Sequence, residues 1–138
     1  MYSKIMFPVD LAHVEQLQKA LGTAADLAKL YGAKIYFVGV TSYVPTKLGR
    51  NPDEYAAKLS KFSDEQARAH DITTEAHTVV SHDPTTDVDD ALLKTVGDIG
   101  ADLVVMASHV PGVIDYVWPS NGGKMAVHSK ASVMIVRN

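Results

Sequence analysis

Ser108 and His109 stand side by side just after a short apolar run, Leu103 to Met106. A serine beside a histidine is the raw material of nucleophilic catalysis. Adjacent residues on an extended chain point opposite ways, so this spacing does not predict a direct Ser–His bond. No G-x-S-x-G surrounds the serine either. Contact of the backbone with a phosphate, with His109 near the loop, is the better reading. Ser120-Asn121-Gly122 supports it, because these residues look like a helix start. Free N–H groups and a hydroxyl at the positive end of a helix dipole can hold phosphate, and the same residues can serve as a plain cap. Gly122-Gly123-Lys124 tempts a P-loop reading, but the pattern G-x-x-x-x-G-K-[ST] needs glycine where Trp118 stands and Ser or Thr where Met125 stands. Asp10 offers a carboxylate as a hydrogen-bond acceptor, or as the cap of the first helix. Asp83, Asp87, Asp89 and Asp90 form an acidic run that suits a helix N-terminus better than a divalent ion. His70, His77 and His128 have no metal-ligand spacing with one another.

The elements that must position these groups alternate. Ile5-Met6-Phe7 reads as a buried strand stopped by Pro8, with Val9 and Asp10 at its carboxyl end. Val14, Leu17, Leu21, Ala24, Ala28 and Tyr31 recur at helical steps, and Gly32 ends that helix. Ile35 to Val40 is a second strand, rich in β-branched and aromatic residues. Thr41 to Pro52 reads as loop, and a second helix runs from Asp53 to His70. Thr73 to Val80 mixes polar and apolar positions, as a half-exposed edge strand does. Asp83-Pro84 starts a third helix whose stripe is Val88, Ala91, Leu92, Thr95, Val96 and Ile99, and Gly100 ends it. Leu103 to Met106 is a strand. Ser108 to Pro119 is a long loop containing Tyr116 and Trp118. After the helix start at Ser120 comes a last buried-looking strand, Val133 to Val136. The order βαβαβαβαβ predicts an α/β, doubly wound parallel sheet with helices on both faces. Such sheets bind ligands where the winding reverses, outside the carboxyl ends of two adjacent strands. If strands one and four are those neighbours, Pro8-Val9-Asp10 and Ala107-Ser108-His109 converge on one crevice.

Composition narrows the function. The chain has 138 residues, which predicts one domain over 1–138, and it is 46% apolar and 21% charged with a net charge of −3. Its basic residues are scattered, which argues against nucleic acid. It has no cysteine, so disulfide and thiolate chemistry are out. No apolar stretch reaches the roughly 20 residues that span a bilayer, and the N-terminus has no signal-peptide pattern. The expectation is a cytoplasmic, soluble protein without membrane insertion.

The chain resembles the universal stress proteins of the single-domain, nucleotide-binding type. The resemblance rests on Phe7-Pro8-Val9-Asp10 after strand one, a V-x-V end to strand two, and the closing unit: Ala107-Ser108-His109, Pro119-Ser120-Asn121 and Val133 to Arg137. The A-S-H-x-P and S-N variants are most similar to a subgroup of small bacterial members. The resemblance implies a five-stranded, mainly parallel sheet of order 3-2-1-4-5, of the adenine nucleotide alpha hydrolase-like kind. It implies a binding site for ATP or AMP, with Mg2+ a companion to ATP. Pro8, Val9 and Asp10 would lie at the end of strand one, with the Asp10 carboxylate accepting from a ribose hydroxyl or meeting the adenine pocket. The Val40 backbone would meet the adenine. Met106, Ala107, Ser108, His109 and Val110 would follow strand four, and Ser120, Asn121 and Gly122 would hold phosphate. Three glycine positions of the family's phosphate pattern correspond here to Ala107, Val110 and Pro119. Glycine lets backbone N–H groups approach phosphate closely, and proline has no N–H to offer.

The resemblance implies a stress-response or regulatory sensor that binds adenine nucleotide, with nucleotide ordering the long loop. The family resemblance also implies a homodimer through the last strand, Val133 to Val136, and an unidentified protein partner. No side chain stands out as a strong general base, so at most slow ATP hydrolysis is expected. Val110 and Pro119 favour the alternative, an interaction protein of the same fold that binds no nucleotide, for example a regulator of a transporter.

Overall fold

The structure is a computed structural model that describes residues 1–42, 51–81, 88–108 and 129–137. Five strands form one sheet in the order β3-β2-β1-β4-β5: β1 Lys4–Pro8, β2 Lys34–Thr41, β3 Thr74–Val80, β4 Leu103–Ala107 and β5 Ser132–Val136. All neighbouring pairs are parallel. The helices described are α1 Gln18–Tyr31, α2 Pro52–His70 and α3 Val88–Ile99. The expected loop Ser108 to Pro119 past its first residue, the helix start at Ser120, the Asp83-Pro84 start and most of the Thr41 to Pro52 loop lie outside the described residues.

Strand alternation sorts the core into two layers. Ile5, Phe7, Ile35, Phe37, Leu103 and Val105 face α1 and α2, where Ala20, Leu21, Ala24, Ala28, Leu59 and Phe62 close over them. Met6, Val38, Val104 and Met106 face the other way, against Leu92 and Val96 of α3. The alanines of α1 keep that helix close to the sheet. Phe37 sits edge-on between Phe7 and Phe62, with ring centroids 5.7 and 5.2 Å away, which favours the ring quadrupoles as well as burying area.

Local chemistry sets the ends. Gly32 closes α1 at φ 64, and Ala33 adds a second bond to the Ala28 carbonyl at 2.9 Å. Asn51 caps α2 by accepting from the Glu54 N–H at 2.9 Å, with Pro52 opening the helix. At the amino end of the sheet, Asp102 accepts from the Ser3 and Lys4 N–H groups at 2.9 and 3.0 Å, fixing the start of β1 beside β4.

Two elements differ from the sequence reading. The first helix was expected from Val14, but the α-helix starts at Gln18, after a 3-10 segment Leu11–Leu17 in which His13 is non-helical at φ −134. Val14 and Leu17 still pack inward, so the apolar spacing is the same on both sides of the break. The last strand reads as buried from its apolar run, while the implied order 3-2-1-4-5 makes it an edge; the edge place is what the structure has, with Met134 and Ile135 39% and 45% exposed. The reason is its place: β5 is the sheet edge, with β4 its neighbour on one side.

Candidate functional site

β1 pairs with β2 along its whole length, from Lys4↔Lys34 to Pro8↔Val38. It pairs with β4 only at Ile5↔Leu103 and Met6↔Val104. β4 meanwhile stays paired with β5 through Ala107↔Val136. Beyond Met6 the seam between β1 and β4 therefore carries no ladder pairs, and this gap lies at the carboxyl ends of the two strands, where open α/β sheets have their binding crevice. Pro8 gives a physical reason. Backbone N–H groups alternate between a strand's two neighbours, and the Val9 N–H goes to the Val38 carbonyl at 2.8 Å. The Pro8 nitrogen then falls on the β4 side, and it has no hydrogen to donate. Here too the chain's winding reverses, since β1 lies between β2 and β4.

Asp10 stands at the mouth of this crevice with both carboxylate oxygens engaged. Oδ1 accepts from the Ala12 N–H at 3.0 Å, which caps the 3-10 segment. Oδ2 meets His13 Nδ1 at 2.8 Å. An ionised carboxylate only accepts, so Nδ1 is the nitrogen that carries hydrogen. The side chains of His13 and Asp10 are 22% and 15% exposed, so the pair is set into the wall and not free on the surface. Each carboxylate oxygen keeps a lone pair for another donor. The capping role and a ligand role for Asp10 are thus compatible in one geometry.

Tyr55 packs from α2 onto β2, the strand beside β1. The residue is 4% exposed and its ring rests against Gly39 of β2, where an added Cβ would fall on the phenol oxygen. Among the described residues nothing hydrogen-bonds to that hydroxyl. Burial pushes the Tyr55 phenol well above its ordinary range, and the negative charge of Asp10 pushes it the same way, so it stays protonated. The sequence marked Tyr55 only as part of a helical apolar face, and His13 was not marked at all. Two signals were present: Asp10 and His13 at a three-residue step across a helix start, and a glycine inside a strand, which often marks close approach of another group.

The other expected site residues divide into two sets. Pro8, Val9 and Asp10 end β1, and Met106, Ala107 and Ser108 end β4, so the two stretches lie at the same end of adjacent strands. Val9 and Met106 are buried, and Ala107 and Ser108 are half-buried. The Ser108 N–H is already used by the Val136 carbonyl at 2.8 Å, which leaves its hydroxyl for other partners. Val40 is half-buried near the end of β2, paired with Val79 and packed on the α3 side of the sheet. His109, Val110, Ser120, Asn121 and Gly122 lie outside the described residues. Among the described residues no three His, Asp or Glu side chains gather as a metal site, and no helix is long and apolar enough to cross a membrane.

Comparison with known proteins gives a consistent relationship. The model of the universal stress protein family matches residues 1–137. Universal stress protein G of Shigella flexneri is 27% identical over 148 residues, spanning 99% of this chain and all of that protein. The protein of the same name from Salmonella typhimurium is 26% identical over the same span. Among solved structures, a universal stress protein in complex with cAMP superposes with a TM-score of 0.69 at 21% identity, covering 98% of this chain and 97% of that one. The universal stress protein of Archaeoglobus fulgidus in complex with dAMP gives 0.68 at 18% identity, with 97% of each chain covered. An Arabidopsis thaliana family protein with AMP bound gives 0.67 at 15% identity, covering 99% of this chain and 92% of that one. These structures share the fold.

Proposed function

The chain belongs to the universal stress protein family, and from that premise we propose that it binds an adenine nucleotide in the β1–β4 crevice and works as a stress-response or regulatory sensor. The observation that carries this reading is the end of β1–β4 pairing at Met6↔Val104, with Asp10 held at the mouth of the gap. That is a gap in the pairing at the switch point of a doubly wound sheet, with an acceptor fixed beside it. The complexes of related folds with cAMP, dAMP and AMP support an adenine ligand. In this reading Asp10 accepts from a ribose hydroxyl, Val40 lines the base pocket, and the chain around Pro8, Val9, Met106, Ala107 and Ser108 forms the floor. The proposal extends to His109, Val110, Ser120, Asn121 and Gly122 as the phosphate end. Whether the ligand is AMP, or ATP with Mg2+, sets how much of that end is used. The proposal also includes a homodimer through β5, supported by the exposed Met134 and Ile135 on that edge, and a protein partner that reads the nucleotide state.

Pro119 and Val110 favour a second reading. Each stands where the family's phosphate pattern has glycine, and Pro119 has no N–H to give a phosphate oxygen. In this reading the chain keeps the fold and the edge but acts through protein contact alone. Denaturing the freshly purified protein and weighing the released small molecules by mass spectrometry, alongside calorimetric titration with ATP and AMP, separates the two. Adenine nucleotide near one per chain, or saturable uptake of added nucleotide, supports the first. Empty protein that ignores both ligands supports the second.

A further inference from the structure

We infer that the Tyr55 hydroxyl and the Asp10 carboxylate together take one ring hydroxyl of the ligand's ribose, Asp10 accepting from it and Tyr55 donating to it. This inference rests on the adenine-nucleotide reading and deepens it, by adding a residue of α2 that prefers ribose to deoxyribose.

Five observations lead there. Tyr55 is 4% exposed, and its hydroxyl has no hydrogen-bond partner among the described residues. A buried hydroxyl left unpaired is unfavourable, so the position calls for an occupant that satisfies it. The phenol oxygen lies on Gly39 of β2, the residue before Val40, and a side chain at Gly39 would fill the place the hydroxyl occupies. The register Pro8↔Val38 brings Asp10 to the same end of the neighbouring strand. Asp10 is near enough for its charge to act on the phenol, yet the two are not bonded to each other. Asp10 is itself pinned by Ala12 and His13, so it cannot swing over to Tyr55 without losing those bonds at 3.0 and 2.8 Å.

The chemistry of the missing occupant follows. Asp10 can only accept, and Tyr55, held protonated, has a hydrogen to donate. A group between them must donate to one and accept from the other. A sugar hydroxyl does both, whereas a phosphate oxygen or a base carbonyl only accepts and would be repelled by Asp10. Water also does both, and so does the adenine edge through its 6-amino group and a ring nitrogen, so these are the competing occupants.

The test is calorimetric titration of the whole protein with AMP, 2′-deoxy-AMP and 3′-deoxy-AMP, for the wild type and for Tyr55→Phe. One net hydrogen bond corresponds to about three- to tenfold in affinity. The wild type is expected to bind AMP more tightly than one of the deoxy forms by that factor. Tyr55→Phe should lower AMP affinity by about the same factor and shrink that ratio, leaving the part that the Asp10 bond carries. Equal wild-type affinity for all three ligands overturns the inference and leaves the nucleotide reading intact, as does a ratio unchanged in Tyr55→Phe; water or the adenine edge is then the occupant. Absence of binding by any of the three overturns both readings. Tyr55→Phe keeps the ring on Gly39 and removes only a hydroxyl that has no partner among the described residues, so its ligand-free melting temperature should equal or exceed the wild type's. A lower one would show that the hydroxyl is bonded in the free protein, and would also overturn the inference.

Discussion

The Ser108 N–H donates to the Val136 carbonyl at 2.8 Å, one step beyond the last ladder pair of β4 and β5. β4 is thereby tied to the sheet edge at the level where it has already parted from β1. The crevice lies between β1 and β4 because β4 is held on its other side. Ser108→Ala keeps this backbone bond and deletes only the hydroxyl. It should melt within a degree or two of the wild type while weakening AMP binding by about three- to tenfold, if the hydroxyl meets the ligand. Ser108→Pro removes the N–H and should destabilise the fold by about 1–3 kcal/mol. Thermal melts with calorimetric titrations check both.

Asp10 does two tasks that different substitutions separate. Asparagine is as good a helix cap as aspartate, so Asp10→Asn should keep the bond from Ala12 and melt close to the wild type. It replaces an acceptor-only carboxylate with an amide, so nucleotide affinity should fall by about tenfold. Asp10→Ala loses cap and charge, and should cost about 1 kcal/mol of stability as well. Equal stability losses in the two variants would mean that the charge, not the cap, holds this turn.

Asp102 makes stability depend on acid. Burial alone would push its carboxyl up, but the bonds from the Ser3 and Lys4 N–H groups and the Ser3 hydroxyl outweigh that and hold it below the ordinary aspartate range. A carboxyl depressed in the folded state contributes fully above its unfolded value, near ~3.9, and loses that contribution as pH falls through the folded value. Asp102→Ala should therefore destabilise by on the order of 1 kcal/mol at pH 7. The deficit should shrink in acid, once the wild-type carboxyl is protonated. Urea titrations at neutral and acid pH measure both. A deficit that stays constant with pH would remove the charged bonds as the cause.

Much of the sheet was legible because its punctuation is local. Gly32 and Gly100 adopt positive φ at 64 and 74, where glycine carries no Cβ penalty, and both end helices as read. The break after Asp10 was not legible, since a 3-10 segment and an α-helix place Val14 and Leu17 on similar faces. The four apolar residues of β5 read as buried because a uniform run looks the same at the centre of a sheet and at an edge awaiting a partner. Tyr55, Leu59 and Phe62 are a true core stripe, yet the stripe carries no sign that the Tyr55 hydroxyl comes to rest on Gly39 of β2. That depends on strand register, which is a long-range property.

Gly39 is the position where crowding tests the Tyr55 contact. A Cβ at Gly39 would fall on the phenol oxygen and within 2.8 Å of the ring carbon Cε1, and the ring is buried with little room to retreat. Gly39→Ala should cost about 1–3 kcal/mol as an overpacked site. Combining it with Tyr55→Phe removes the worst clash and leaves that with Cε1, so the double variant should recover part of the loss. The two substitutions should couple by about 0.5–1.5 kcal/mol in denaturant titrations. Strict additivity would mean that the ring escapes as a whole.

The β5 edge gives the most direct test of assembly. Met134 and Ile135 are adjacent and exposed, so by strand alternation they leave apolar area bare on both faces of the edge. Unpaired N–H and C=O groups beside apolar side chains make an edge that invites another strand, and a lysine there is a common way to prevent such pairing. Ile135→Lys should change monomer stability by no more than about 0.5 kcal/mol, because the site is open to water in one chain. In a dimer joined through β5, the same change would bring two lysines to one interface without partners. Light scattering behind size-exclusion chromatography should then show a dimer for the wild type and a monomer for Ile135→Lys at the same concentration. A variant that remains dimeric would move the interface elsewhere, and Met134 and Ile135 would become a surface for some other protein.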